Sequence, residues 1–176
     1  MLALVRLRTQ QILRPRHRGT PYDGAMELAE MISFVRGVGA GVVATVAENG
    51  EPQAAYLDLA ASDTGELVFN ARADSRKITN IGHDGRVAVV VGGTEGTTLQ
   101  GEGIARVFGG GDGEGAEGDF ARCAAAYAAA FPQFQAVRPD EGVVLVSVQL
   151  SWARFRDYRG SMLVSSDVEL GSARSE

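Results

Sequence analysis

The strong cations of this chain are sixteen arginines and a single lysine, Lys77, which sits in the run Asp74-Ser75-Arg76-Lys77. Asp74 and Ser75 are residue types that begin helices. A helix start offers unpaired backbone N–H groups and the positive end of the helix dipole, and both favour an anion. Arginine grips a phosphate through its planar fork, and lysine acts as a compact point charge. The run therefore has the chemistry of a phosphate site. The same residues also suit an ordinary solvated first turn, and the residues around them must decide.

Other chemistries find little support. Cys123 is the lone cysteine, so no internal disulfide forms, and its setting in Ala121-Arg122-Cys123-Ala124 reads as a core helix face. His17 and His83 lack metal-ligand spacing. No nucleophile elbow, Walker loop or dinucleotide fingerprint is present. Gly37-Val38-Gly39-Ala40-Gly41 precedes a strand and reads as a turn. The formal net charge of −5 argues against nucleic acid as the main partner. Hydrophobic content of 45% and charged content of 22% are those of a globular domain. No apolar run approaches a membrane span, and the expected compartment is the cytoplasm.

The elements that would position the Ser-Arg-Lys run follow from periodicity. Residues 1–25 are basic and aperiodic. They read as an extension: a targeting segment, a basic arm, or sequence ahead of a natural start at Met26. Residues 26–35 carry helical spacing, and residues 41–47 and 53–60 read as a hairpin joined by Glu48-Asn49-Gly50. Residues 66–70 form a third strand. A short helix runs from Asp74 or Ser75 to Ile81. The valine run 86–91 reads as a buried strand. Residues 97–108 form a long strand with Leu99, Gly101, Gly103, Ala105 and Val107 on one face, its glycines marking a bend or a close approach. Residues 109–118 read as a mobile acidic loop, 119–131 as a helix, and 143–150 as a strand that 153–158 extends. Residues 161–176 are expected to lie loosely as a tail. The domain thus spans 26–160. It is mainly β with peripheral helices, and its six or seven mostly antiparallel strands are expected to close into a small barrel.

This order of features resembles the pyridoxamine 5′-phosphate oxidase-like, FMN-binding split barrels. The resemblance rests on Ala44-Thr45-Val46-Ala47-Glu48-Asn49-Gly50-Glu51-Pro52, on Val68-Phe69-Asn70, on Ser75-Arg76-Lys77-Ile78-Thr79-Asn80-Ile81 and on Arg86-Val87-Ala88-Val89-Val90-Val91. It implies FMN as cofactor, with Ser75, Arg76 and Lys77 on its phosphate. Asn70 stands where the family carries a tyrosine in Tyr-Thr. A family glutamine that contacts the flavin ring falls on Gln100, or on Thr98 by the register counted from Gly103. Trp152 either shields the flavin or belongs to the core. The resemblance further implies a homodimer with the flavin in its seam, which outward-facing valines would suit.

The departures shape the functional expectation. Ala55 replaces an arginine that grips the flavin phosphate in the oxidase. Of the substrate phosphate site Tyr127 is kept, while Ala60, Phe131 and Gln135 stand where the oxidase has lysine, arginine and serine. The family's Arg-x-His ending is absent. Trp152-Ala153-Arg154-Phe155-Arg156-Asp157-Tyr158 instead resembles the ending of small stress-protein-like members. A flavin carries its own redox chemistry, so no catalytic side chain is named. The expectation is an FMN-dependent oxidoreductase acting on a small non-phosphorylated substrate. The alternative is a non-catalytic module binding flavin, deazaflavin or haem.

Overall fold

The computed structural model describes residues 24–93, 95–108, 114–134 and 142–171. In chain order the elements are β1 (Met26–Glu27), α1 (Leu28–Val38), β2 (Ala40–Val46), β3 (Pro52–Asp58), β4 (Ala60–Ala61), β5 (Leu67–Arg72), α2 (Arg76–His83), β6 (Arg86–Gly92), β7 (Thr97–Phe108), α3 (Glu114–Ala130), a 3-10 turn (Pro132–Phe134), β8 (Val143–Asp157) and β9 (Val164–Glu169). The strands join in the order β1-β9-β8-β7-β6-β2-β3, with β5 also on β8 and β4 on β5. All neighbours are antiparallel except β1 and β9. The mainly β split-barrel architecture read from the sequence is the one observed.

β8 organises the barrel. Its fifteen residues follow β7 along one edge, while the other edge takes β5 at residues 143–148 and β9 at residues 154–157. A bulge lets it serve both. The register with β7 shifts between Glu102 and Gly103, with Ser151 as the extra residue on β8, and such a bulge bends a strand. Gly103 makes the bend possible, because a Cβ there would lie 2.2 Å from the Gln149 carbonyl oxygen. The glycine alternation along residues 97–108 thus marks a close approach, as expected.

Alternation divides the sheet's faces. Val43, Val87, Val89, Val91, Leu99, Phe69, Val146 and Val148 point into the barrel and are all less than a tenth exposed. β6 alternates buried and exposed residues, so its valine run is buried on one face only, and Val90 stands outside, 39% exposed. A second core forms outside the barrel, where Cys123 and Tyr127 of α3 and Phe131 just after it pack with Ala60, Val68 and Leu145. α2 packs on β2 and β7.

Several boundaries differ from the sequence reading. Met26 and Glu27 do not begin the first helix. They pair in parallel with Val168 and Glu169, and Met26 is buried. Part of the expected loose tail is β9, whose Ser166 and Val168 face inward. The expected strand 53–60 breaks at Leu59, a fully buried residue between β3 and β4. α3 begins at Glu114, ahead of the expected Asp119 and within the expected acidic loop. No helix among the described residues is long and apolar enough to cross a membrane.

One polar cluster ties α3 to the barrel. Glu66, just before β5, accepts hydrogen bonds from the hydroxyls of Ser62 and Thr64 and from Arg122 at 2.6 Å. Burial alone would raise the Glu66 pKa. The hydrogen bonds from Ser62, Thr64 and Arg122 outweigh it and hold the group at about 2, below its ordinary 4.5. The folded state therefore binds this proton more weakly than the unfolded chain does. The stabilisation is complete above about pH 4.5 and is lost as pH falls toward 2. Glu66→Gln is expected to lower the melting temperature at pH 7 and to flatten the loss of stability across that acid window. Melts of both proteins at stepped pH check this, and parallel curves would contradict it.

Candidate functional site

The start of α2 is built by the turn after β5. Ser75 N–H donates to the Arg72 carbonyl at 3.0 Å, and Ser75 adopts extended backbone angles at the N-cap. Its carbonyl then accepts from the N–H groups of Ile78 and Thr79. First-turn geometry leaves the amides of Arg76 and Lys77 without an intrahelical acceptor. A serine at this position ordinarily turns its hydroxyl onto the first-turn amides. Ser75 does not: its Oγ is buried and has no hydrogen-bond partner. A buried, unbonded hydroxyl costs about 1–3 kcal/mol, which an incoming acceptor would offset.

The charges around this turn leave it cationic. Asp74, the nearest carboxylate, is held by Arg72 through two 3.0 Å bonds, and hydrogen bonding to that guanidinium lowers its pKa. Half-buried Lys77 forms no hydrogen bond or ion pair with the side chains of the described residues. Arg76 is exposed and lines an open cleft of about 730 Å³ together with Ala47, Glu48, Asn49, Glu51, Pro52, Gln53, Ala54 and Asn80. The cleft owes its shape to the β2–β3 hairpin. Gly50 takes φ +84°, and Asn49 Oδ1 accepts from Glu51 N–H at 3.1 Å. Glu48 and Glu51 put two exposed carboxylates on its rim. They oppose an anion weakly, since exposed charges are screened.

The remaining predicted residues lie elsewhere. Thr98 and Gln100 share the outer face of β7, opposite Arg156 and Arg154 of β8, and Trp152 stands opposite Glu102 on that same face. The Arg154 guanidinium lies 5.3 Å from the Trp152 ring centroid and is anchored by Asp167 at 2.7 Å. Strand register puts Gln100 beside Val90, Val90 beside Val42 and Val42 beside Tyr56. Gln53, which faces Arg76, is on β3, three strands from β7 and on the inner face. The outer-face group and the Gln53 side chain that meets Arg76 thus lie on opposite faces of the sheet. Asn70 is on the face of β5 that carries Val68 and meets Leu145, the side covered by α3.

Tyr127 and two of the substituted positions do come together. Ala60, Tyr127 and Phe131 all belong to the second core and are less than a tenth exposed. The Tyr127 and Phe131 ring centroids are 5.0 Å apart. Burial, and after it the Asp58 carboxylate, push the Tyr127 hydroxyl up to about 12. Burial likewise raises Cys123 to about 11, so this cysteine is no nucleophile at neutral pH. Gln135 lies outside the described residues. No group of metal-binding side chains occurs among the described residues.

Sequence reasoning missed Gln53 and Asn80. Asn80 is buried, its amide lies 2.9 Å from Thr45 Oγ1 and 3.1 Å from the Gln53 amide, and both amides line the cleft. The available signal was Asn80 four residues after Arg76, an amide beside Ile81 on the buried side of a helix.

Comparison with known proteins completes the picture. Similar solved structures include a pyridoxamine 5′-phosphate oxidase-related, FMN binding protein from Nostoc punctiforme, with TM-score 0.58 and 17% identity over 77% of this chain and 84% of that one. General Stress Protein 26 from Bacillus anthracis gives TM-score 0.52 and 22% identity over 73% and 92%. A heme binding protein from Mycobacterium smegmatis gives 0.55 and 18% over 79% and 57%. A search of curated protein sequences found no match. The model of the family described as pyridoxamine 5′-phosphate oxidase matches residues 28–156, which is most of the chain and includes the hairpin, the α2 turn and β7. The chain belongs to the pyridoxamine 5′-phosphate oxidase family.

Proposed function

We propose that the chain binds FMN by its terminal phosphate at the start of α2 and works as a flavin-dependent oxidoreductase on a small non-phosphorylated substrate. The observation that carries this reading is the buried, unbonded Ser75 hydroxyl beside unpaired Lys77 and the first-turn amides. Those groups fit a phosphate dianion: one hydroxyl donor, backbone donors, a point charge and the Arg76 guanidinium. The FMN binding protein from Nostoc punctiforme shares the fold and supports the same ligand. Bound flavin would supply hydride or electron transfer. The chain's residues hold the phosphate, orient the ring and keep water from it.

The division of the predicted residues into two groups supports a homodimer. One flavin can touch both the α2 turn and the Thr98, Gln100 and Trp152 face if a second subunit supplies one of them. The outer face presents Tyr56 at 73% and Val90 at 39% exposure, apolar area that a second copy would cover. A second reading is a non-catalytic flavin or haem carrier, favoured by the missing arginine at Ala55 and by the fold shared with a heme binding protein. His83, at the end of α2, is exposed.

FMN is expected to bind more tightly than FAD, because the turn suits a terminal phosphate. Lys77→Ala and Arg76→Ala should each cost about 1.5–3 kcal/mol of cofactor affinity, roughly ten- to a hundredfold, in a domain that still folds. Flavin fluorescence titrations and melting curves test both statements. Equal or tighter FAD binding, or a Lys77→Ala variant with unchanged FMN affinity, would contradict the reading. A haem Soret band with no flavin uptake would favour the second reading.

The protein is expected to be inactive toward pyridoxine and pyridoxamine 5′-phosphates. Where the oxidase resemblance calls for two cations, this chain has Ala60 and Phe131 packed with Tyr127 in a closed apolar core. A substrate phosphate there would lose its water without gaining counter-charge. Oxygen-dependent formation of pyridoxal 5′-phosphate by FMN-loaded protein is the assay. Turnover of about 1 s⁻¹ or more, within the ordinary enzyme range, would refute the claim.

A further inference from the structure

We propose that Gln53 is a positioning residue for Arg76, a neutral clamp that fixes the guanidinium without cancelling its charge. The inference rests on the reading that the start of α2 takes a phosphate. Arg76 and Asn80 are four residues apart on α2 and so share one face of the helix. Gln53 is the direct cross-strand partner of Thr45, and both point into the barrel under that face. The four side chains form one polar line, from a threonine that is 2% exposed and an asparagine that is 7% exposed out to an exposed arginine.

Donors and acceptors fix the order along this line. The Gln53 amide end nearest Arg76 lies 2.7 Å from Nε and 2.9 Å from Nη2, and both of those nitrogens are donors. An amide nitrogen there would set donor against donor, so the oxygen faces the guanidinium and accepts both bonds. The Gln53 nitrogen then lies 3.1 Å from the Asn80 amide; it donates there only with the Asn80 oxygen turned toward it, and that same oxygen then accepts from the Thr45 hydroxyl at 2.9 Å. Buried amides and hydroxyls are retained where they bond fully, and here that bonding runs outward to one cation.

The consequence is a defined presentation of charge. Gln53 occupies the Nε–Nη2 edge of the guanidinium, leaving the Nη1 end free for a ligand. Arg36, Arg72, Arg86, Arg122, Arg154 and Arg159 each pair with a carboxylate. Arg76 is held by an amide instead, so its full charge remains for an anion. A carboxylate at position 53 would give the same clamp and remove the charge. Glutamine is therefore the side chain that separates the two effects.

Gln53→Ala and the near-isosteric Gln53→Glu separate them by experiment, with FMN and riboflavin as probes. The two ligands share one ring system and differ in the phosphate. Wild-type protein is expected to prefer FMN. Gln53→Ala should weaken FMN about three- to tenfold, and Gln53→Glu should weaken it further, while riboflavin affinity holds for both. An unchanged FMN-to-riboflavin preference in both variants would overturn the inference. Equal loss of both flavins would make Gln53 structural and also overturn it. A wild-type protein that binds the two flavins equally would instead overturn the phosphate reading on which the inference rests.

Discussion

A helix cannot satisfy its own first N–H groups, and the start of α2 meets that constraint in an unusual way. The serine that stands at the cap keeps its hydroxyl buried and unbonded. The nearest acid is occupied by Arg72. The lone lysine has no carboxylate partner among the described residues. An interior that leaves donors and charge uncompensated gives up stability, about 1–3 kcal/mol for a buried hydroxyl alone. A bound anion would offset that cost. The barrel holds the turn in place: β5 ends at Arg72, the Ser75 amide returns to the Arg72 carbonyl, and Asn80 and Ile81 lock the helix into the barrel end.

The rest of the architecture follows from what this turn needs around it. β8 must bend to pair with β7, β5 and β9, and Gly103 admits the bend. The bend keeps Thr98, Gln100 and Trp152 in register on one outer face. α3 covers the opposite flank and turns Ala60, Tyr127 and Phe131 into apolar packing. A cationic pocket for a second phosphate and a sealed hydrophobic core cannot occupy the same place. The chain has the core, which is why the family's fold supports a different substrate class in this reading.

Much of this was legible in the sequence because the signals were local. Asn49-Gly50 names a hairpin, Ser75-Arg76-Lys77 names a helix start, and the alternation along residues 97–108 names both faces of β7. The missed parts depend on contacts distant in sequence. Val164–Glu169 reads as a loose polar tail until β8 gives it a partner and Arg154 pairs with Asp167. Met26 reads as helix until β9 is in place. The valines of β6 read as buried on both faces, yet half of that strand faces outward. Gln53 carries no signal by itself, since its role exists once Thr45, Asn80 and Arg76 surround it. The division of the predicted ligand residues between two faces was likewise invisible, because register across four strands decides it.

The most direct test of the central claim is the phosphorus NMR signal of FMN titrated with wild-type protein and with Lys77→Ala. The account predicts that the wild type shifts and broadens the phosphate resonance in step with the change in flavin absorption. It predicts that Lys77→Ala needs much more protein to do so. A flavin absorption change with an unmoved phosphate resonance would show that the ring binds while the phosphate stays in water, and would contradict the account.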